Sequence, residues 1–347
     1  MKTTIVSGKS LTPEHLLLWS HFQQSNAALA NPYFCPEFTS AVAEVRDDVW
    51  VGILEEAGEI AGFFPFQRGK LPIGQPVGYT LCDYQGLIVK PGVDWDAAEL
   101  LRGCGLKIWN FDNLIASQLP FQRFHKLKTE SLLINLPDGY KGYESERRAN
   151  PNWKSNSNWI QQTSRKMRKF EREVGALRFE AHVADTSLLR LLMRWKSEQY
   201  ARLGTFDRFE IEWIVKLIER LHGTQNETFA GMLSVLYVGE EVAALHFGMR
   251  SVSVWHYWFP TYNHQFQKYS PGLILLLKMI EAAESLGIQT IDLGKGDESY
   301  KQRLINSTVP LAEGSVEIPS LISTAKWLRR KTSEIVRSPK RSAKAVI

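Results

Sequence analysis

The sequence predicts a chain of the α/β (α+β) class, built as two copies of one αββ…βαβ unit, and three observations carry that expectation. Two Gly-containing hairpins, Val51–Gln67 and Ser234–Met249, share one form, with Ala61 opposite Ala243. Two helix starts, Lys90-Pro91-Gly92 and Ser270-Pro271-Gly272, lie 180 residues apart, and so do two strand ends, Asp112 and Asp292. Three features in one order at nearly one offset mark an internal repeat.

In the first copy, the hairpin is followed by a helix from Lys90 to about Leu106 and a strand ending at Asp112. Residues Glu144–Gln162 are polar, rich in Asn and Ser and without periodicity, as linkers are. The second copy opens on a basic helix, Arg165–Gly175, and a strand around Arg178–Val183. Two amphipathic helices come next: Leu188, Leu192 and Trp195 share one face, and Ile211, Ile214, Val215 and Ile218 another. The hairpin, a strand over Ser253–Pro260, a helix from Gly272 to about Leu286 and a strand over Ile288–Leu293 complete it. This order predicts a mixed sheet with helices on its faces. The expected divisions are 1–150, 163–318 and a basic tail, 319–347.

Composition sets bounds. The 347 residues are 44% hydrophobic and 23% charged, which excludes collagen-like, disulfide-framework and wholly disordered chains. The net charge of +5 is local: residues 326–347 hold eight basic residues and one acid, so the body before them carries −2. Cys35, Cys82 and Cys104 show no CxxC spacing and no nearby His cluster, so they read as reduced thiols in a cytoplasmic protein with no metal site. No signal peptide or membrane span is expected. The tail, with Leu321, Trp327, Leu328 and Ile335, reads either as a basic interfacial helix at the inner face of a membrane or as a solubilising extension.

Strand alternation places Val242, Ala244, His246 and Gly248 on one face, where small neighbours leave room for a substrate beside a histidine suited to general-base work. The alternative for His246 is a buried histidine satisfied by the backbone. Phe64 occupies its position in the first copy, an asymmetry that favours function in the second copy alone. His256 ranks behind it as base or substrate contact, because its aromatic neighbours favour a packed strand. Asp292 closes a strand ahead of a dense polar run, Gly294 to Arg303, where ligands of open sheets collect. It could orient an acceptor ammonium, act as base, or cap the next turn. The chain has no GxSxG elbow, P-loop or GxGxxG.

The run HFGMR (His246–Arg250), followed by HYWFPTYNHQFQKYSPGLILLLKMIEAAESLGIQTIDLGKGDESYKQRL (His256–Leu304), resembles GNAT-superfamily acyltransferases of the cellulose-biosynthesis, CelD-like branch, relatives of the Fem-type peptidyl transferases. The resemblance spans roughly Arg165–Val309; in the first half it rests on the repeat and on NPYFCPEF (Asn31–Phe38). It implies tandem GNAT-like domains, the second active and the first degenerate. It also implies an acyl-CoA (acetyl-CoA) donor whose pyrophosphate lies on the helix start at Gln267, Lys268, Tyr269, Ser270 and Gly272. From pattern alone, Ser270-Pro271-Gly272 is equally a well-capped helix start. The resemblance implies that Tyr300 protonates the departing thiolate and that Lys301 and Arg303 hold CoA or carboxylate groups. Asp297 either contacts the acceptor or begins the last helix.

The expected activity is acyl transfer from CoA to an amine or hydroxyl of a small molecule or sugar precursor, in polysaccharide biosynthesis. The alternatives are Fem-like transfer from aminoacyl-tRNA, suggested by the basic helix and a glycine-poor loop, and a non-catalytic scaffold of a polysaccharide-synthesis complex. Nucleic acid enters only under the tRNA alternative.

Overall fold

The computed structural model describes residues 1–149, 159–296 and 301–320. The first copy runs β1 (Lys2–Ser7), α1 (Pro13–Gln24), α2 (Pro36–Val45), β2 (Val49–Glu56), β3 (Glu59–Gln67), β4 (Ile73–Gly74), β5 (Ile88–Val89), α3 (Ala97–Gly103), β6 (Ile108–Ile115), β7 (His125–Asn135) and α4 (Gly139–Ala149). The second runs α5 (Trp159–Glu173), β8 (Leu177–Glu180), α6 (Thr186–Leu203), α7 (Glu212–His222), β9 (Ala230–Val238), β10 (Glu241–Arg250), β11 (Val254–Tyr262), α8 (Pro271–Ala283), β12 (Thr290–Asp292) and β13 (Ser307–Glu317).

Both expected hairpins form. Ala57 and Gly58 turn the first with φ of 52° and 86°, and Gly239 turns the second with φ of 54°. Left-handed residues at a two-residue turn match the twist of the strands they join. The first copy departs from the repeat at its helix. α3 begins after Asp96, whose carboxylate accepts from the Ala98 and Glu99 N–H groups and pairs with Arg123, while Pro91 and Gly92 lie in the preceding turn. A fixed carboxylate thus occupies the N-terminus of this helix.

The sheets show how the copies join. One sheet has the order β1-β2-β3-β5 and the other β4-β6-β13-β7-β12-β11-β10-β9-β8. The nine-stranded sheet therefore combines strands of both copies, with the last strand of each paired to the other: β7 pairs with β12, β13 pairs with β6, and β7 and β13 pair with each other over Ser131↔Val309 and its flanks. A shared apolar core, including Phe38 and Phe63 of the first copy and Leu217 and Phe247 of the second, fills the space between them.

Asp48 marks one edge of this junction. It accepts from Arg46, Tyr79 and Gln67, and the Arg46 guanidinium also lies 5.3 Å from the ring centre of Trp213 in the second copy. Burial alone would raise the Asp48 carboxyl, but these donors outweigh it and hold it at about 2. A carboxylate whose folded pKa lies below the unfolded value of ~3.9 stabilises the protein above that value, and the contribution is lost as pH falls toward 2. Asp48→Asn is therefore expected to lower stability at pH 6 and to converge on the parent protein by pH 2. Denaturant titrations across that range giving a constant difference would reject this.

Among the described residues, no helix is long and apolar enough to cross a membrane. The tail expectation for residues beyond 320 lies outside the described residues.

Candidate functional site

β11 and β12 run parallel and pair only over Val254↔Thr290, Trp255↔Ile291 and His256↔Asp292. Beyond that point β12 ends while β11 continues to Tyr262, so among the described residues the edge of β11 that faces β12 has no further strand partner. α8 starts beside this opening. A groove of about 390 Å³, lined by Tyr257, Pro260, Tyr262, Gln267, Ser270 and Gly272, lies against its N-terminus.

Ser270 does not cap α8 as its sequence position predicts. Its backbone is left-handed, with φ of 57°, and its hydroxyl accepts from Lys166 Nζ at 2.6 Å instead of from the helix. A non-glycine residue held in that region costs energy and points to a local demand. Here the demand is a hydroxyl and a lysine ammonium at the mouth of a helix whose first residue, Pro271, has no N–H. A Cβ on Gly272 would lie no nearer than 3.7 Å to Tyr262, so the glycine keeps its side of the groove clear.

The neighbouring loop residues divide. Gln267 lines the groove. Tyr269 turns away: its ring stacks on Phe170 at 4.3 Å and its hydroxyl donates to Glu173 at 2.8 Å. Lys268 is drawn to the same Glu173 carboxylate at 3.6 Å. Both act as struts between the loop and α5 and do not reach the groove as expected. Lys166 is the cation that pattern reasoning missed, because the basic run around it reads as a solvated helix; its spacing to the helix start becomes visible only in three dimensions.

His246 is enclosed. Its Nε2 accepts from the Trp258 N–H at 3.2 Å, its ring stacks on Tyr257 at 4.5 Å, and burial, followed by nearby His256, pushes its pKa well down. The lone pair a base would use is already taken, so the structure does not support the role expected of it. The room expected beside it is also filled: a Cβ on Gly248 would meet the His256 carbonyl oxygen at 2.0 Å and the His246 ring at 2.8 Å.

His256 is the better-placed histidine. Its Nε2 lies 3.0 Å from Asp83 Oδ2 and its Nδ1 lies 3.8 Å from Asp292 Oδ1, with no hydrogen-bond partner for Nδ1 among the described residues. Asp83 comes from the first copy and is partly exposed, whereas His256 is fully buried. An Nε2–H donated to Asp83 leaves the lone pair on Nδ1. Tyr33 of the first copy packs edge-on against the ring at 5.0 Å, and burial together with Asp83 raises its phenol well above the ordinary value.

Asp292, expected to serve as catalytic carboxylate or turn cap, is placed to do both. It accepts from Ser131 Oγ at 2.7 Å, from the Gly294 N–H at 2.8 Å and from Asn31 Nδ2 at 2.8 Å. Asn31 belongs to the NPYFCPEF stretch singled out in the sequence. The site is thus assembled from both copies, and Asn31, Asp83 and Ser131 carried no local signal as site residues. Of the remaining expected residues, Lys301 is buried and Arg303 is exposed, with its carbonyl accepting from Arg147. Asp297 and Tyr300 lie outside the described residues.

This fold is shared with solved structures at low identity. FemX is 10% identical, with 94% of this chain and 100% of that chain covered at a TM-score of 0.58. A conserved protein of unknown function from Bacteroides thetaiotaomicron is 10% identical, covering 90% and 99% at 0.55. A C-terminal DUF2156 domain from Agrobacterium fabrum is 11% identical, covering 91% and 97% at 0.51. The molecule is therefore a mixed α/β protein that shares its fold with these structures. Within it, residues 157–302 match the family model described as an acetyltransferase (GNAT) domain. No curated protein sequence matches the chain.

Proposed function

We propose that the protein transfers an acetyl or longer acyl group from acyl-CoA to an amine or hydroxyl, in keeping with its resemblance to the CelD-like branch. The observation that carries this reading is the groove at the start of α8, flanked by the free edge of β11. The helix N-terminus, Ser270, Gln267 and Lys166 would hold the pyrophosphate, and the unpaired backbone of β11 suits the amides of a pantetheine arm, as an added strand does. Bound acyl-CoA supplies an activated thioester carbonyl. The protein's part is to position the acceptor and receive its proton, and we assign the proton to His256 Nδ1, with Asp83 holding the opposite ring nitrogen. These steps need correct placement above all.

Isothermal titration of acetyl-CoA into the folded chain tests the donor site. Saturable binding, weakened at least ~10-fold by Lys166→Glu through charge reversal beside the phosphates, is the expected result. Absence of binding by any acyl-CoA would remove the reading. The exposed cations of α5 favour aminoacyl-tRNA as the second donor class, and activity abolished by ribonuclease would select it.

A further inference from the structure

We infer that the protein docks on an anionic lipid bilayer through a basic face of its first copy, at the point where the chain leaves the described fold. This goes beyond the transferase reading and does not depend on it. Three segments meet at the β4 edge of the nine-stranded sheet to make the face. The loop 68–72 supplies Arg68, Lys70 and Leu71, the stretch from α3 to β6 supplies Arg102 and Lys107, and the chain after β13 passes beside them. The Lys107 N–H donates to the Pro72 carbonyl at 2.8 Å, and the Ile318 N–H donates to the Lys107 carbonyl at 2.8 Å.

Both ends of the loop are held. Arg68 donates from its backbone N–H to the Asp48 carbonyl at 3.0 Å and from its guanidinium to the Cys104 carbonyl at 3.2 Å, while the Pro72 carbonyl also accepts from the Ile108 N–H at 3.3 Å. The tip between them stands clear: a Cβ on Gly69 would meet nothing within 4 Å, and Leu71 is 61% exposed. A single exposed leucine means little by itself. This one is set beside Lys70 and Lys107, both exposed and bonded to no carboxylate among the described residues. Glu317, the acid one residue before Ile318, is already engaged by Ser315 and Lys126.

The sequence that follows decides the partner. Residues 326–347 hold eight basic residues and one acid, and Leu321, Trp327, Leu328 and Ile335 lie before and among them. The tail begins at this face, so its charge adds to that of Lys70, Arg102 and Lys107 although the body as a whole carries −2. Cations mixed with aliphatic and indole side chains match a bilayer surface, where the charges meet anionic headgroups and the apolar groups enter the boundary beneath them. A nucleic-acid backbone would use the charges alone. Two linked weak contacts, one on the fold and one on the tail, also bind far better together than either does singly.

Sedimentation of the full chain with lipid vesicles at about 0.1 M salt is the test. Vesicles of phosphatidylcholine with one third phosphatidylglycerol should carry the protein down, and vesicles of phosphatidylcholine alone should not. Raising salt to about 0.5 M should weaken binding at least tenfold, because the attraction is screened. Lys70→Glu with Lys107→Glu should weaken partitioning into the anionic vesicles at least tenfold and Leu71→Asp at least threefold, with circular dichroism unchanged since all three side chains are exposed. The same pair of reversals placed on α4 and α6, Lys141→Glu with Arg190→Glu, should change it less than threefold. Equal binding to both kinds of vesicle would overturn the proposal, as would anionic-vesicle binding no more sensitive to the Lys70 and Lys107 reversals than to the Lys141 and Arg190 pair. An RNA duplex bound more tightly than the anionic vesicles would overturn it in favour of nucleic acid.

Discussion

Replacing His256 with asparagine should lower kcat for acyl transfer by roughly 10²- to 10⁴-fold, the range a positioned proton acceptor contributes, while acetyl-CoA affinity stays as it was. The argument is geometric. Asp83 holds Nε2 at 3.0 Å, so the ring presents Nδ1 toward the Asp292 carboxylate. Asparagine keeps a donor toward Asp83 and removes the basic nitrogen, so the loss should fall on kcat and leave the fold intact. Asp83→Asn should act in the same direction more weakly and shift the pH profile of kcat, because the residue positions the ring and does not touch the acceptor. His246→Asn serves as the contrast: it should cost stability through its buried ring and leave the pH profile unmoved. A His256→Asn protein turning over within threefold of the parent enzyme would eliminate His256 as the proton acceptor.

The largest expected structural effect belongs to Gly248→Ala. The added Cβ would stand 2.0 Å from the His256 carbonyl oxygen and 2.8 Å from the His246 ring, closer than non-bonded atoms come. Neither neighbour can retreat cheaply. The carbonyl belongs to the β11 backbone, and the ring is fixed between Tyr257 and the Trp258 N–H. β10 must therefore move away from β11 at a bulge it already carries between Phe247 and Met249. Overpacking of a rigid core costs about 1–3 kcal/mol, and a clash with backbone belongs at the top of that range or above it. The urea midpoint should fall clearly below that of the parent protein, and an unchanged midpoint would mean that the strands are less closely held than this geometry requires.

What could be read in advance depended on whether the signal was local. The hairpins, the Pro271 helix start and the amphipathic stripes of Leu188 to Trp195 and Ile211 to Ile218 are written in neighbouring residues, and each forms as expected. The helix of the first copy was placed too early because Pro91-Gly92 mimics Pro271-Gly272, whereas the side-chain cap is Asp96. The choice between His246 and His256 turned on strand parity. Parity fails at bulges, and β10 carries one on each side of His246, at Val242/Ala244 and Phe247/Met249. Asn31, Asp83 and Ser131 reach the site from the first copy across separations of 161 residues or more, which no local pattern encodes.

The exchange of β7 and β13 also governs when and how the molecule can be assembled. The nine-stranded sheet needs β13, which ends at Glu317, between β6 and β7, so the strands of the first copy in that sheet are not fully paired until the second copy has been synthesised. Contacts this distant make folding slow. Two fragments split within the 150–158 segment would each lack a strand held by the other. They should behave as obligate complements, inactive and poorly folded apart and competent when mixed. A cut that leaves ordinary tandem domains independent would here separate a lock from its own key.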